Sequence, residues 1–358
     1  MSSPSHGIGG LKYDPKKRHR PAEVNVLIAL VAIVALFEVL GRLFVGDSFL
    51  FNTRDRVDTL FNEQRLKIII LQVSIIGIIA LGVTQVIISG GIDLSSGSIV
   101  GGVAMITTAF AQSALNEYGM ENVKPILGAE WLDLPIVVPL AIGLTVGLIA
   151  GIVNGSLISK FKIPPFIVTL GMMLFMRGVA TFVTKGRPIS FLQEEYTAIG
   201  NGMNPVFIFL GVAVVMHLLL KYTRYGKHTY AIGSNEAAAR MSGINVDRLK
   251  ILIYAIAGLL SALAAIVMSS KALTGQAGMG IMYELDAIAM AVIGGTSLAG
   301  GRGSILGTCI GALIFGVIIS GFTFMRLDAF YQEMAKGIII VAAVILDQWR
   351  AQKQAAKA

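Results

Sequence analysis

Along this chain the apolar residues neither alternate with polar ones nor line a single helical stripe; they come in nearly uninterrupted runs. Ten runs are predicted, at 24–44, 68–89, 97–115, 135–158, 163–184, 204–220, 249–269, 284–298, 304–324 and 331–347. Most approach the roughly 20 residues that a helix needs to cross the hydrocarbon of a bilayer, where each backbone polar group must be satisfied within the segment. The pattern therefore predicts an all-α integral membrane protein of about ten transmembrane helices, with a membrane domain over 24–347. Residues 1–23 are polar and basic and are predicted to be a disordered tail, followed at the other end by a short tail over 348–358.

The longest polar interval is 221–248, and within it 230–246 is patterned as a short helix. Asn235 is a capping residue, Glu236 falls in the first turn, and Ala237, Ala238 and Ala239 follow. Arg240 lies in the last turn and Gly243 supplies a left-handed stop. A helix of about two turns over 235–242 is marginal in water by itself, so it is expected to lean on a partner.

Two glycine-rich interruptions resemble each other. Val86-Ile87-Ile88-Ser89-Gly90-Gly91-Ile92-Asp93-Leu94-Ser95-Ser96-Gly97-Ser98-Ile99 matches Val292-Ile293-Gly294-Gly295-Thr296-Ser297-Leu298 and, after a two-residue insertion, Gly303-Ser304-Ile305. Each copy reads as an apolar helix, a break and a second apolar helix, an arrangement that transporters use to line a path. The span count implies a parallel repeat; an inverted one requires that one of the ten spans be a half helix. In the fourth span Gly143, Gly147, Gly151 and Gly155 make three GxxxG steps, a face that admits another helix at close range, within the subunit or between subunits.

Composition sharpens this picture. Hydrophobic residues are 55% of the chain and charged residues 14%, with mean hydropathy +0.75, which excludes an ordinary soluble domain. The net charge of +8 reads as a membrane signature and not as a nucleic-acid footprint, because basic residues concentrate in cytoplasmic loops. With both termini inside, 17 of the 29 Lys and Arg are cytoplasmic, counting Lys250 at the inner edge of the run 249–269, and 9 are outside, the others being Arg42, Arg177 and Lys336 within spans. The loop 116–134 agrees, with Glu117, Glu121, Glu130 and Asp133 against the single base Lys124. The short helix over 235–242 is then cytoplasmic.

No Gly-x-x-x-x-Gly-Lys-Ser/Thr loop is present, the four histidines lack metal spacing, and no nucleophile, base and acid are patterned together, so this chain is not expected to be an enzyme or to hold a cofactor. Charges within spans are costly and mark function or pairing. Asp93 sits in the first break, where it either caps the following helix with Ser95 and Ser96 or lines a path. Arg177 lies midway along the fifth span, Glu284 and Asp286 open the eighth, and Thr296 and Ser297 occupy the second break. These residues are the candidate translocation path. Glu38 with Arg42, and Glu333 with Lys336, have the spacing of structural ion pairs.

Five segments in order carry a resemblance to a known family: Gly90 to Ser98, Pro165 to Gly171, Ala231 to Val246, Tyr283 to Ala289, and Gly294 to Ser304. Together they resemble the permease subunits of bacterial ribose, xylose, galactose and inositol ABC importers, over about residues 25–347. The resemblance implies a type II importer-like permease that pairs with a second copy of itself in the bacterial inner membrane. It also implies two cytoplasmic ATPase domains, supplied by a partner that would bind ATP and magnesium, and a periplasmic sugar-binding protein. Gly233, Ser234, Met241 and Ser242, with the intervening helix and Gly243, match the segment that docks in a groove of the ATPase. The implied cargo is a monosaccharide or cyclitol, with a lean toward inositol. The competing class, an autonomous secondary transporter or channel, predicts more ionisable relays within spans than this chain has.

Overall fold

The computed structural model describes residues 22–52, 60–115, 119–122 and 124–355. The basic tail up to residue 21, residues 53–59 and Glu117 of the acidic loop lie outside them. The chain is built of α1 (Ala22–Leu40, continued by a π-helical turn Gly41–Val45), α2 (Glu63–Ile88), α3 (Ser96–Phe110), α4 (Val137–Lys160), α5 (Pro165–Thr184) and α6 (Glu194–Ala198). There follow α7 (Asn204–Tyr222), α8 (Arg224–Ser234), α9 (Glu236–Met241), α10 (Val246–Ala272), α11 (Tyr283–Ile293), α12 (Ile305–Phe324) and α13 (Ala329–Ala355). Among the described residues seven helical stretches are long and apolar enough to cross a membrane: α1 with its π turn, α2, α4, α5, α7, α10 and α12. This is an all-α, multi-pass membrane protein.

The other three expected spans differ from the sequence expectation. The run 97–115 holds α3, of only 15 residues. It stops at Phe110 because the chain beyond it turns to pair with 189–193: Ser113 N–H donates to the Phe191 carbonyl (2.7 Å) and Gln193 N–H to the Ala111 carbonyl (2.9 Å). The run 284–298 holds α11, of 11 residues, roughly 16 Å long. It ends where Gly295 takes a φ of +92°, a conformation that favours glycine. The last run becomes the 27-residue α13, which continues through Ala355 and so converts most of the expected tail 348–358 into helix.

The core is organised around α10. The GxxxG face of α4 lies directly on it: a Cβ at Gly147 would strike the Gly258 carbonyl, one at Gly151 would lie 2.8 Å from the Ala255 Cα, and one at Gly155 2.6 Å from the Ile251 Cα. The small-residue face thus serves packing within the chain, by the backbone approach that glycine permits.

Two backbone arrangements position the site. In the first, the breaks at 89–95 and 294–304 touch: Gly301 N–H donates to the Ile88 carbonyl (2.8 Å), and a Cβ on Gly300 would stand 3.1 Å from the Gly90 Cα. The two breaks therefore meet backbone to backbone, while α3 and α11 are half helices and not full spans, so the ten-span count on which the parallel reading rested does not hold. In the second, α3 and α11 begin against one another. The non-helical lead-in to α11 runs antiparallel to α3, with Gly275 against Thr108, the Met279 carbonyl against Gly101, and Gly280 against Gly97. Two half helices, each preceded by irregular backbone, meet at their first turns. Irregular backbone at that depth is tolerated only when it is buried in protein or lines a cavity.

Candidate functional site

Where α3 and α11 meet, polar side chains converge. Asp93 is 1% exposed and its Oδ1 accepts from the Ser95 N–H (2.8 Å) and the Ser95 hydroxyl (2.6 Å). Asn154, from α4, donates through Nδ2 to Ser95 Oγ (2.9 Å), completing a buried chain from Asn154 through Ser95 to Asp93. Nearby, the Tyr254 and Thr169 hydroxyls stand 3.4 and 3.5 Å from the Ile92 carbonyl. Across the junction, Glu284 lays its carboxylate against Gly97, where any Cβ would collide with it. Neither α3 nor α11 begins with a capping side chain.

Arg177 braces the junction from α5. Its Nη1 donates to the Met279 carbonyl (2.9 Å) and the Ala277 carbonyl (3.2 Å), so the guanidinium satisfies acceptors that the broken lead-in to α11 would otherwise leave bare.

The second polar assembly is α8 and α9. The sequence predicted one solitary helix over 235–242; the structure has two, with α9 covering Glu236–Met241. Asn235 caps α9 as expected, accepting from Ala238 N–H (3.0 Å). The unforeseen α8 has weak helix formers, but Gly226, Thr229 and Ile232 bury one face, and packing overrides propensity. Of the α9 alanines, Ala239 is buried while Ala237 and Ala238 are exposed, and Met241 is 91% exposed.

The charges on α9 are all paired. Arg240 bonds Glu236 (3.2 Å) and Asp247 of α10 (2.8 Å), Glu236 bonds Lys250 (2.7 Å), and Lys162 reaches Asp247 (3.1 Å). Partial burial pushes the Glu236 carboxyl up, but the hydrogen bonds and charges of Lys250 and Arg240 more than offset this and hold it below its ordinary range. Hydrogen bonds to Asp247 and then Glu236 raise the Arg240 guanidinium above its ordinary value.

The last turn of α8 is wedged into the breaks. A Cβ on Gly233 would collide with the Ile88 carbonyl and stand 2.6 Å from the Gly301 nitrogen, and a Cβ on Gly300 would stand 2.7 Å from the Gly233 carbonyl and 3.1 Å from the Gly90 Cα. Tyr230 donates to the Gly303 carbonyl (2.8 Å), and Ser304 at the start of α12 donates to Glu23 of α1 (2.9 Å).

The structure thus distributes the candidate path residues over three places. Asp93, Ser95, Arg177 and Glu284 come together at the α3–α11 junction. Thr296 and Ser297 lie in the second break beside α8. Asp286 belongs to neither group: it faces Lys336 of α13 (3.6 Å), which also bonds Glu333 (2.9 Å), so the expected Glu333–Lys336 pair is one half of a bridge. The expected Glu38–Arg42 pair is present at 2.9 Å, and Glu38 also accepts from Ser48, Phe49 and Leu50. Sequence reasoning missed Asn154 and Tyr230. An asparagine inside an apolar span was a legible signal for the first; Tyr230 sat in a helix whose formation depends on packing.

Residues 65–344 match the family model described as branched-chain amino acid transport system / permease component. The chain is 45% identical over 287 residues to the ribose import permease protein RbsC of Bacillus subtilis, covering 77% of this chain and 82% of that protein. It is 35% identical over 341 residues to RbsC of Haemophilus influenzae (93% and 95%), and 34% identical over 308 residues to the galactose/methyl galactoside import permease protein MglC of the same organism (83% and 90%). No solved structure matches. A polytopic chain with paired broken helices, matched by that model over most of its length, belongs to the family of transport-system permease components.

Proposed function

We propose that this chain is the membrane permease subunit of an ABC importer for a monosaccharide. It pairs with a second copy of itself in the bacterial inner membrane, with both termini in the cytoplasm. ATP and magnesium are bound by a separate ATPase that docks on α9, and sugar arrives from a periplasmic binding protein. The path runs through the α3–α11 junction. The relatives are named for ribose and galactose, which favours an aldose over the inositol toward which the sequence reading leaned.

One observation carries this reading. The exposed α9 is stapled to α10, and the α8 that precedes it presses Gly233 against both breaks at once. A push on α9 therefore has a backbone-to-backbone route into the segments that interrupt the membrane helices. Without such contact an exposed two-helix hairpin would have no means of moving the path.

The test is Ala238→Trp. A bulky ring on the exposed face of α9 leaves the fold intact but blocks seating in a groove. The permease is expected at wild-type level in the membrane, with uptake of labelled ribose and galactose abolished and co-purification of the ATPase lost. Wild-type values for both would place docking elsewhere, at the turn 160–165. Uptake assayed against ribose, galactose and inositol identifies the cargo.

A further inference from the structure

The α3–α11 junction holds buried polar atoms that have no partner in the protein. They are the hydroxyls of Ser96 and Ser98 in the first turn of α3, Oδ1 of Asn154, and Oε2 of Glu284. Ser96 is 0% exposed, Ser98 and Asn154 1%, and Glu284 7%. Each unmade hydrogen bond at such a site carries a desolvation penalty, and native interiors leave few of them. Here four border the stretch Ser95–Ser98, two from α3 itself, Asn154 through its bond to Ser95 and Glu284 through its contact with Gly97, and neither α3 nor α11 begins with a capping side chain.

Asn154 borders this junction at Ser95, to which its Nδ2 is committed, while its Oδ1 is buried without a partner. Glu284 is aimed into it from the other side, against Gly97. The arrangement offers both kinds of partner. The uncapped first turn of α3 presents N–H donors, while those of Tyr283, Leu285 and Asp286 in α11 are already bonded to the Gly280 and Met282 carbonyls; serine hydroxyls donate or accept, and the Asn154 and Glu284 oxygens accept. A simple anion is disfavoured despite the helix N-termini, because Asp93 and Glu284 both border the site. A cation would find the two N-terminal dipoles against it. A neutral molecule with several hydroxyl groups satisfies donors and acceptors together.

Resting on the importer reading above, we propose that Ser96, Ser98, Asn154 and Glu284 form a holding site for a neutral polyol midway along the path. In the closed arrangement seen here, Gly97 against Glu284 and Gly280 shuts the site. Sugar enters when α11 separates from α3, and its hydroxyls take up the four unpaired atoms.

The experiment uses the whole importer, with its ATPase and binding protein, reconstituted in proteoliposomes and supplied with D-ribose, then D-galactose. The double variant Ser96→Ala, Ser98→Ala removes two hydroxyls that bond nothing in the protein. Its melting temperature is expected to equal or exceed that of the wild type, while uptake of at least one sugar falls about tenfold. Wild-type uptake of both sugars, or a loss of uptake accompanied by a lowered melting temperature, would overturn the proposal. Gly97→Val separates this from failure of the importer reading. If Gly97→Val in an assembled complex blocks uptake while the serine variant does not, the path passes here without holding sugar. If neither variant alters uptake, the path itself lies elsewhere.

Discussion

The α3–α11 junction and the α9 platform are both polar, and they treat polarity in opposite ways. On α9, Glu236 and Arg240 each have two partners on the surface, where water could have served them equally well. At the junction, Ser96, Ser98 and Glu284 keep polar atoms without a protein partner where no bulk water reaches. Exposed ion pairs contribute little stability, so the α9 network is best understood as a splint that fixes the angle of a six-residue helix to α10. Buried unpaired atoms are costly, and those at the junction are the atoms that the proposed holding site would use. Under the proposed function, the contrast separates a part that is pushed from a part that opens.

Loss of the brace at the junction is the largest way to break this contrast within the membrane. Arg177→Leu removes the donor to Ala277 and Met279, and charge-assisted hydrogen bonds of this kind are worth about 1.5–3 kcal/mol. The expected result is a lower melting temperature and uptake reduced more than about tenfold, with Arg177→Lys intermediate because a single ammonium serves the two carbonyls less well. A fully active Arg177→Leu importer would show that the lead-in to α11 needs no brace.

Asp93→Ala should do less. It frees the Ser95 N–H and hydroxyl, each such loss costing on the order of 1 kcal/mol, while the Asn154–Ser95 bond survives. Uptake is expected to fall several-fold with assembly of the complex intact by size-exclusion chromatography. Asp93→Asn, whose carbonyl still accepts from Ser95, should recover part of it.

Smaller still is Asp286→Asn. Because Asp286 faces Lys336, which retains Glu333, uptake should remain within about twofold of wild type and stability within about 1 kcal/mol. A large transport defect would return Asp286 to the path.

The smallest effect concerns pH at the splint. The Glu236 carboxyl lies below its ordinary value of 4.5 in the folded protein, so its contribution is fully present above that value and is lost as pH falls through the depressed one. Glu236 is 42% exposed, which limits the effect to under about 1 kcal/mol. Hydrogen exchange of the α9 amides should be unchanged between pH 7 and 5.5 and should quicken, relative to the intrinsic rate, only below about 4.5.

Much of the membrane architecture was legible in one dimension. Span existence depends on local hydropathy, and the start of α9 depends on Asn235 three residues from Ala238, so both are properties of short windows. The glycine pairs that end α2 and α11 were visible for the same reason. The span ends were not: α3 stops early because Ala111 and Ser113 find partners beyond residue 190, a pairing that no window contains.

What the sequence by itself determined, then, is that this chain crosses a membrane many times, breaks twice at glycines, and exposes a short capped helix. Only the tertiary structure decided that α3 and α11 oppose their first turns, that Asn154 joins Ser95 across 59 residues, and that Gly233 touches both breaks. Hydropathy and capping are local energies, summed along the chain. Meeting points between half helices are set by which glycines allow backbones together and which polar atoms find one another, and those choices exist only once the chain has folded.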